Sequence, residues 1–195
     1  MVDNYTKILK ATTKLMSERG YHGTSIQMIA DEVGITKSTI IHHFKNKEGI
    51  LLAILEEFVP TATREMTGIV KDKNINGIDK LKNFLQFHMD QVQQHRDVLN
   101  LYIRESRYFG EFQRKVYEDN QRAYSNLAED IIDQIQKENE DIFKGLIAKV
   151  VANAILGMVN YAVIWYRDNG KLNTGQMADH FFQIIMGNFN NPDPS

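Results

Sequence analysis

The segment GITKSTIIHHFKNKEG, residues 34–49, decides how the rest of the chain is read. It holds three lysines and two adjacent histidines among small hydroxyl residues, with no acid between Glu32 and Glu48, although the 195-residue chain carries a net charge of −2. Gly34 breaks a short helical pattern whose inward residues are Ile26, Ile29, Ala30 and Val33. Thr36 can cap the next pattern, which carries Ile40, Ile41 and Phe44. Two short helices around a tight glycine turn, Val33-Gly34-Ile35, behind a longer first helix have helix-turn-helix spacing. Glycine suits the reversal because it has no Cβ.

The second short helix then presents Lys37, Ser38, Thr39, His42 and His43 outward while Ile40 and Phe44 point to a core. Such a face suits DNA. Lysines attract phosphate, hydroxyl and imidazole groups pair with base edges, and the helix N-terminus adds amide donors. A carboxylate there would be repelled by the duplex. The competing reading is a solvated face that lacks acids by chance.

Outward from this window every long segment has helical period and none alternates like a strand. Ile8, Leu9, Thr12, Leu15 and Met16 form the stripe of a first helix that Gly20 should stop. Asn46 can cap a fourth helix carrying Ile50, Leu51, Ile54, Leu55 and Phe58, which Pro60 should end or kink. Helical patterns follow around Leu81–Val92, Val98–Tyr108, Glu111–Asn139, Val150–Tyr166 and Met177–Phe189. The expected fold is all-α, about nine helices, with a three-helix head and a larger body. The expected divisions are a helix-turn-helix domain at 1–47, a ligand-binding and dimerisation domain at 48–189, and a flexible tail at 190–195.

Residues 1–50 hold seven Lys or Arg against five Asp or Glu, whereas the remainder holds sixteen against twenty. A basic head on an acidic body fits a polyanionic partner for the head alone. With no cysteine, disulfides, thiolate metal sites and cysteine nucleophiles are excluded. Lys7, Lys10 and Lys14 interrupt any apolar leader, and Val150–Tyr166 is short for a membrane span, so a cytoplasmic protein without membrane partners is expected. No Glu-x-x-His pair, phosphate-cradling glycine loop or nucleophile elbow is present, and His42 and His43 splay apart on a helix. An enzyme, a metal site and a cofactor are not expected. A helical-bundle oxidoreductase would require metal in the purified protein.

Ser17-Glu18-Arg19-Gly20-Tyr21, then Gly23-Thr24-Ser25-Ile26, Ile29-Ala30, Val33-Gly34-Ile35, Lys37 and Phe44-Lys45-Asn46-Lys47-Glu48 together resemble the TetR family of transcriptional repressors. The resemblance implies that Thr24 touches phosphate, that Lys37, Ser38, Thr39, His42 and His43 lie in or beside the major groove, and that Lys45 and Lys47 face phosphate. Family members mostly carry glycine at the position of Ser38 and tyrosine at that of Ile41. Ile41 cannot make the tyrosine's hydroxyl contact, and it is the one feature favouring an alternative: a member of the fold that binds a small ligand or protein partner without reading DNA.

The last two helices look suited to pairing two copies. Ala154, Gly157 and Met158 on one, with Phe181, Phe182, Ile185 and Phe189 on the other, would form a four-helix bundle across a two-fold axis, an arrangement the resemblance also implies. A helix buried within a single chain is the other reading. Phe84, Phe87, His88, Tyr102, Arg104, Tyr124, Tyr161 and Trp165 are the candidate ligand-pocket residues, plain core being the duller assignment for most of the aromatics. Trp165-Tyr166-Arg167 with Gly170, and Ile103-Arg104-Glu105, resemble members that regulate fatty-acid metabolism. That resemblance implies a small hydrophobic or amphipathic effector, fatty acyl-CoA first and drug-like compounds second.

Overall fold

The computed structural model describes residues 3–105 and 110–187. Among them are nine α-helices and no strand, as expected: α1 Asn4–Gly23, α2 Ile26–Val33, α3 Lys37–Phe44, α4 Lys47–Lys71, α5 Gly77–Gln94, α6 Arg96–Glu105, α7 Glu111–Glu138, α8 Ala148–Trp165 and α9 Thr174–Ile185. They form two compact units, residues 1–62 with 95–120, and 63–94 with 121–195. The first therefore draws α6 and the start of α7 to the expected head. The division falls within α4, just beyond Pro60. Pro60 does not end α4, which continues to Lys71. Its missing N–H leaves the Glu56 carbonyl without its usual helical donor.

The first unit is built from capped, amphipathic helices. Asp3 caps α1 by accepting from the Thr6 amide at 2.9 Å, and Ile8, Leu9, Leu15 and Met16 are buried along one stripe. At Gly20 the backbone takes φ 73°, ψ 169°, a conformation that costs glycine little, and the helix kinks there before one last turn. Ser25 caps α2, and Gly34 (φ 74°, ψ 35°) closes it with bonds from the Gly34 and Ile35 amides back to Ala30. Ile29, Ala30, Ile40, Phe44, Ile50, Ile54 and Leu55 share one apolar core with the stripe of α1 and with Leu101 and Tyr102 of α6.

The second unit packs α5 against α9 and α8. Its least forgiving junction is the start of α5. A methyl on Gly77 would lie 2.7 Å from Ile135 Cγ1 and 2.8 Å from the Ile135 amide nitrogen, so the first turn of α5 meets the backbone of α7 directly. Around this contact, helix ends are satisfied by side chains. The Gly77 amide donates to Glu138 at 2.7 Å. The buried Lys80 ammonium donates to the Val70 carbonyl near the end of α4 at 2.5 Å and to Gln134 at 2.8 Å. Gln134 in turn donates to Glu138 and to the Ile75 carbonyl. Hydrogen bonds from Gln134 and the Gly77 amide hold the Glu138 carboxyl below its ordinary range.

Gly77→Ala should lower stability by about 1–3 kcal/mol through overpacking. Gly68→Ala, in α4 where a methyl meets nothing within 4 Å, should be neutral or stabilising by up to about 1 kcal/mol. Denaturant midpoints measured on both variants check this, and equal effects would deny the close approach at Gly77.

Candidate nucleic-acid interface

α3 is held from behind and free in front. Ile40 is fully buried and Phe44 nearly so, with Tyr5 stacked on the Phe44 ring at 5.0 Å. At about 100° per residue these two anchors share one side of the helix, which puts Ser38, Thr39 and His42 at the centre of the opposite side. Lys37, Ser38, Ile41, His42, His43 and Lys45 are exposed and Thr39 is half-buried. Thr36 caps the helix by accepting from the Thr39 amide at 3.2 Å, and its hydroxyl lies 2.8 and 2.9 Å from those of Ser38 and Thr39. Hydroxyls thus cluster at the electropositive end of α3. The rings of His42 and His43 meet edge-on at 5.7 Å, presenting imidazole nitrogens at separate angles.

Two of the expected phosphate contacts are turned inward. Thr24 is 1% exposed and its hydroxyl donates to the Gly20 carbonyl at 3.0 Å. Lys47 is half-buried; its ammonium donates to the carbonyls of Tyr21 at 2.6 Å and Thr24 at 2.9 Å and stands 4.0 Å above the Tyr21 ring. Both residues donate to carbonyls at the C-terminal end of α1, in the turn that follows the kink at Gly20. Through these bonds they join α1, the α1–α2 turn and α4. The sequence carried a signal for Thr24 alone: a helix stop at Gly20 leaves a carbonyl in need of a donor, and the Thr24 hydroxyl follows four residues later. Lys45, by contrast, is exposed in the short link between α3 and α4.

In the second unit the structure gathers Phe84, His88 and Tyr124. His88 Nδ1 lies 3.3 Å from the Tyr124 hydroxyl, and the Phe84 ring is 5.6 Å from that of Tyr124 and 6.2 Å from that of His88. Burial lowers the His88 pKa to about 4, with a hydrogen bond to Asn160 opposing the shift. Burial also raises the Tyr124 hydroxyl. The cluster is therefore polar but uncharged near neutral pH. Phe87 is half-buried on the same helix.

The other pocket candidates lie elsewhere. Tyr102 packs in the core of the first unit, 4.6 Å from the Tyr117 ring. Tyr161 and Trp165 are 64% and 45% exposed on α8, because they fall on the side opposite buried Val159, Ala162 and Val163. The side chain of Arg104 is outside the described residues.

That exposed side of α8 is an apolar stripe. Ile147, Val150, Ala154, Gly157, Tyr161 and Trp165 recur at steps of three and four, with Met158 half-buried beside them. Leu146 and Ile184 add exposed apolar surface, and a groove of about 540 Å³ runs along Phe143, Leu146, Ile147, Val150, Ala154, Met158 and Ile185. Phe182 and Ile185 are half-buried, but Phe181 is 6% exposed and belongs with Met177 and Ala178 to the inward face of α9. Its large ring is thus already used within the chain. Phe189 and the tail lie outside the described residues. Ile147, Val150, Tyr161 and Trp165 were not singled out from the sequence for this exposed stripe, although their spacing in steps of three and four was available; Ile184 lies apart on α9. By length and composition α8 would also pass for a membrane-crossing helix.

Among the described residues no three His, Asp or Glu side chains are grouped to hold a metal ion. The HTH-type transcriptional repressor KstR2 of Mycobacterium tuberculosis is 23% identical over 185 residues, covering 93% of this chain and 90% of that protein. The fatty acid metabolism regulator protein of Bacillus subtilis is 24% identical over 191 residues and 96% of both. Among solved structures, AibR in complex with isovaleryl coenzyme A and operator DNA shares the fold, with a TM-score of 0.84 and 24% identity over 94% of this chain and 98% of that one. The profile described as bacterial regulatory proteins, tetR family, matches residues 8–54, which contain the helix-turn-helix, and that described as tetracyclin repressor-like, C-terminal domain, matches residues 74–189. With most of its length accounted for by these two, the chain belongs to the TetR family of bacterial regulatory proteins.

Proposed function

We propose that the chain is a cytoplasmic transcriptional repressor that binds a pseudo-palindromic double-stranded operator as a homodimer and is released by a small hydrophobic or amphipathic effector. The observation that carries this reading is the acid-free outward face of α3, anchored from behind by Ile40 and Phe44. Ser38, Thr39 and His42 are assigned to base edges, and Lys37, His43 and Lys45 to the groove margins and phosphate. Residues 1–47 then form the reading head and 48–189 the switch and pairing body.

One short helix makes few contacts, so two heads are needed for specificity, on half-sites roughly 34 Å apart. The stripe on α8 supports pairing. Ala154 and Gly157 allow close helix approach, and Tyr161, Trp165 and Ile185 supply bulk around them. The mixture of Asn153 and Gly157 with aromatics on the exposed side favours a protein partner over lipid.

For the effector, the Phe84–His88–Tyr124 cluster with Asn160 supports an uncharged carbonyl beside an apolar chain, which a fatty acyl thioester provides. AibR was solved with an acyl-coenzyme A, and the Bacillus subtilis relative is a fatty acid metabolism regulator. A ligand of this kind shifts the heads only by its difference in affinity for two states of the body, transmitted through α4.

The wild-type protein should retain a duplex from its own upstream region in a mobility shift and release it on adding a long-chain acyl-CoA; failure to retain any duplex defeats the reading. In the same assay Lys45→Ala should reduce the slope of log affinity against log salt by about one. Lys47→Gln should leave that slope and lower the melting temperature instead. Gly157→Glu places a charge where the chain itself offers nothing within 4 Å. Sedimentation should then show a folded monomer, with operator affinity falling by about 100-fold or more.

His88 fixes a pH window. Its folded pKa lies below the ordinary value, so the unfolded chain takes up the proton first. Stability is present in full above about pH 6.5 and declines as pH falls toward 4. His88→Gln should flatten that decline in denaturant titrations. An unchanged profile would mean that His88 is hydrated in solution.

A further inference from the structure

We propose that residues Phe44–Gly49 form a locked joint that fixes the angle between α3 and α4, making the backbone of Lys45 and the absent side chain of Gly49 positioning features for DNA recognition. This rests on the assignment of α3 as the reading helix. Lys45 takes φ 64°, ψ −51°, and the Asn46 amide donates across it to the Phe44 carbonyl at 2.7 Å. That is a γ-turn with positive φ, the rare and strained hand, occupied here by a lysine. Such a conformation persists only where its surroundings hold it.

The surroundings do so from both sides. The Lys45 amide closes α3 by donating to the Ile41 carbonyl at 2.9 Å, while Phe44 is buried beneath Tyr5. Beyond the turn, Asn46 caps α4 by accepting from the Gly49 amide at 2.8 Å, and Ile50 is fully buried. A methyl on Gly49 would overlap the Phe44 carbonyl oxygen and lie 3.2 Å from its carbon. That oxygen is therefore enclosed between the Asn46 amide and the first turn of α4.

The two helices cannot turn about residues 45 and 46 without breaking the turn or displacing this oxygen. A tilt at the start of α4 is delivered to Ser38 and His42 instead of being absorbed in the link. Over an eight-residue helix of roughly 12 Å, a tilt of about 10° moves the far end by about 2 Å. A base-edge hydrogen bond does not survive that displacement.

The test uses Gly49→Ala and Asn46→Ala, neither of which alters charge, with Gly68→Ala as a control elsewhere on α4. The probes are a duplex that the wild-type dimer selects from a randomised pool and an unrelated duplex of equal length, both titrated well below each variant's melting temperature. Gly49→Ala should weaken the selected duplex by about 10-fold or more while changing the unrelated one by less than about 3-fold. Asn46→Ala, which removes only an acceptor and carries the test if Gly49→Ala does not fold, should weaken the selected duplex by roughly 3- to 10-fold. The salt slopes of both should match wild type, and Gly68→Ala should change neither affinity. Equal weakening on both duplexes, or none on either, overturns the joint. A wild-type protein that selects no duplex instead overturns the DNA-reading assignment itself.

Discussion

The burial of Ile40 and Phe44 behind α3 is the constraint on which the reading face depends. Each is a large apolar side chain whose removal from water stabilises the fold by about 1.5–3 kcal/mol, and together they leave an eight-residue helix only one way to sit. An isolated helix of that length would be marginal in water. Here the hydrophobic contacts with α1, α2, α4 and α6 hold it in register. The polar side is thereby presented by packing from behind, while its hydroxyls and imidazoles meet one another and Thr36.

Polar groups inside the fold have a different task, which is to satisfy helix ends. Thr24 and Lys47 bond to carbonyls around the kink at Gly20, and Lys80, Gln134 and Glu138 do the same where α4, α5 and α7 converge. In both places a side-chain donor meets carbonyls at a helix end, where an unpaired buried group would cost more than the bond itself contributes. His88 differs, since burial keeps it uncharged and its neighbours are other side chains.

The reading helix was legible because its cap, its two inward residues and its lack of acids all fall within one short window. The helical character of the body was equally plain from its period. Less legible was the direction of individual side chains. Residue type marks Lys47 as a cation, but only the three-dimensional position of the Tyr21 and Thr24 carbonyls shows that the charge is engaged. Phe181 and Ile184 are both apolar residues of α9, and the fold of α5 against α9 decides which is covered. Tyr102, Tyr161 and Trp165 were grouped with Phe84 as aromatics of the central helices, yet they lie in another core or on an open face. The positive φ at Lys45 leaves no trace in composition, because lysine has no preference for that region.

If two copies pair as proposed, the apolar stripe left open on α8 is covered only when the second copy arrives. For a regulator acting as a pair, operator occupancy at low abundance would climb with the square of chain concentration rather than in proportion to it. Synthesis rate then becomes a control in its own right: halving the supply of chains would relieve repression more than twofold before any effector is present.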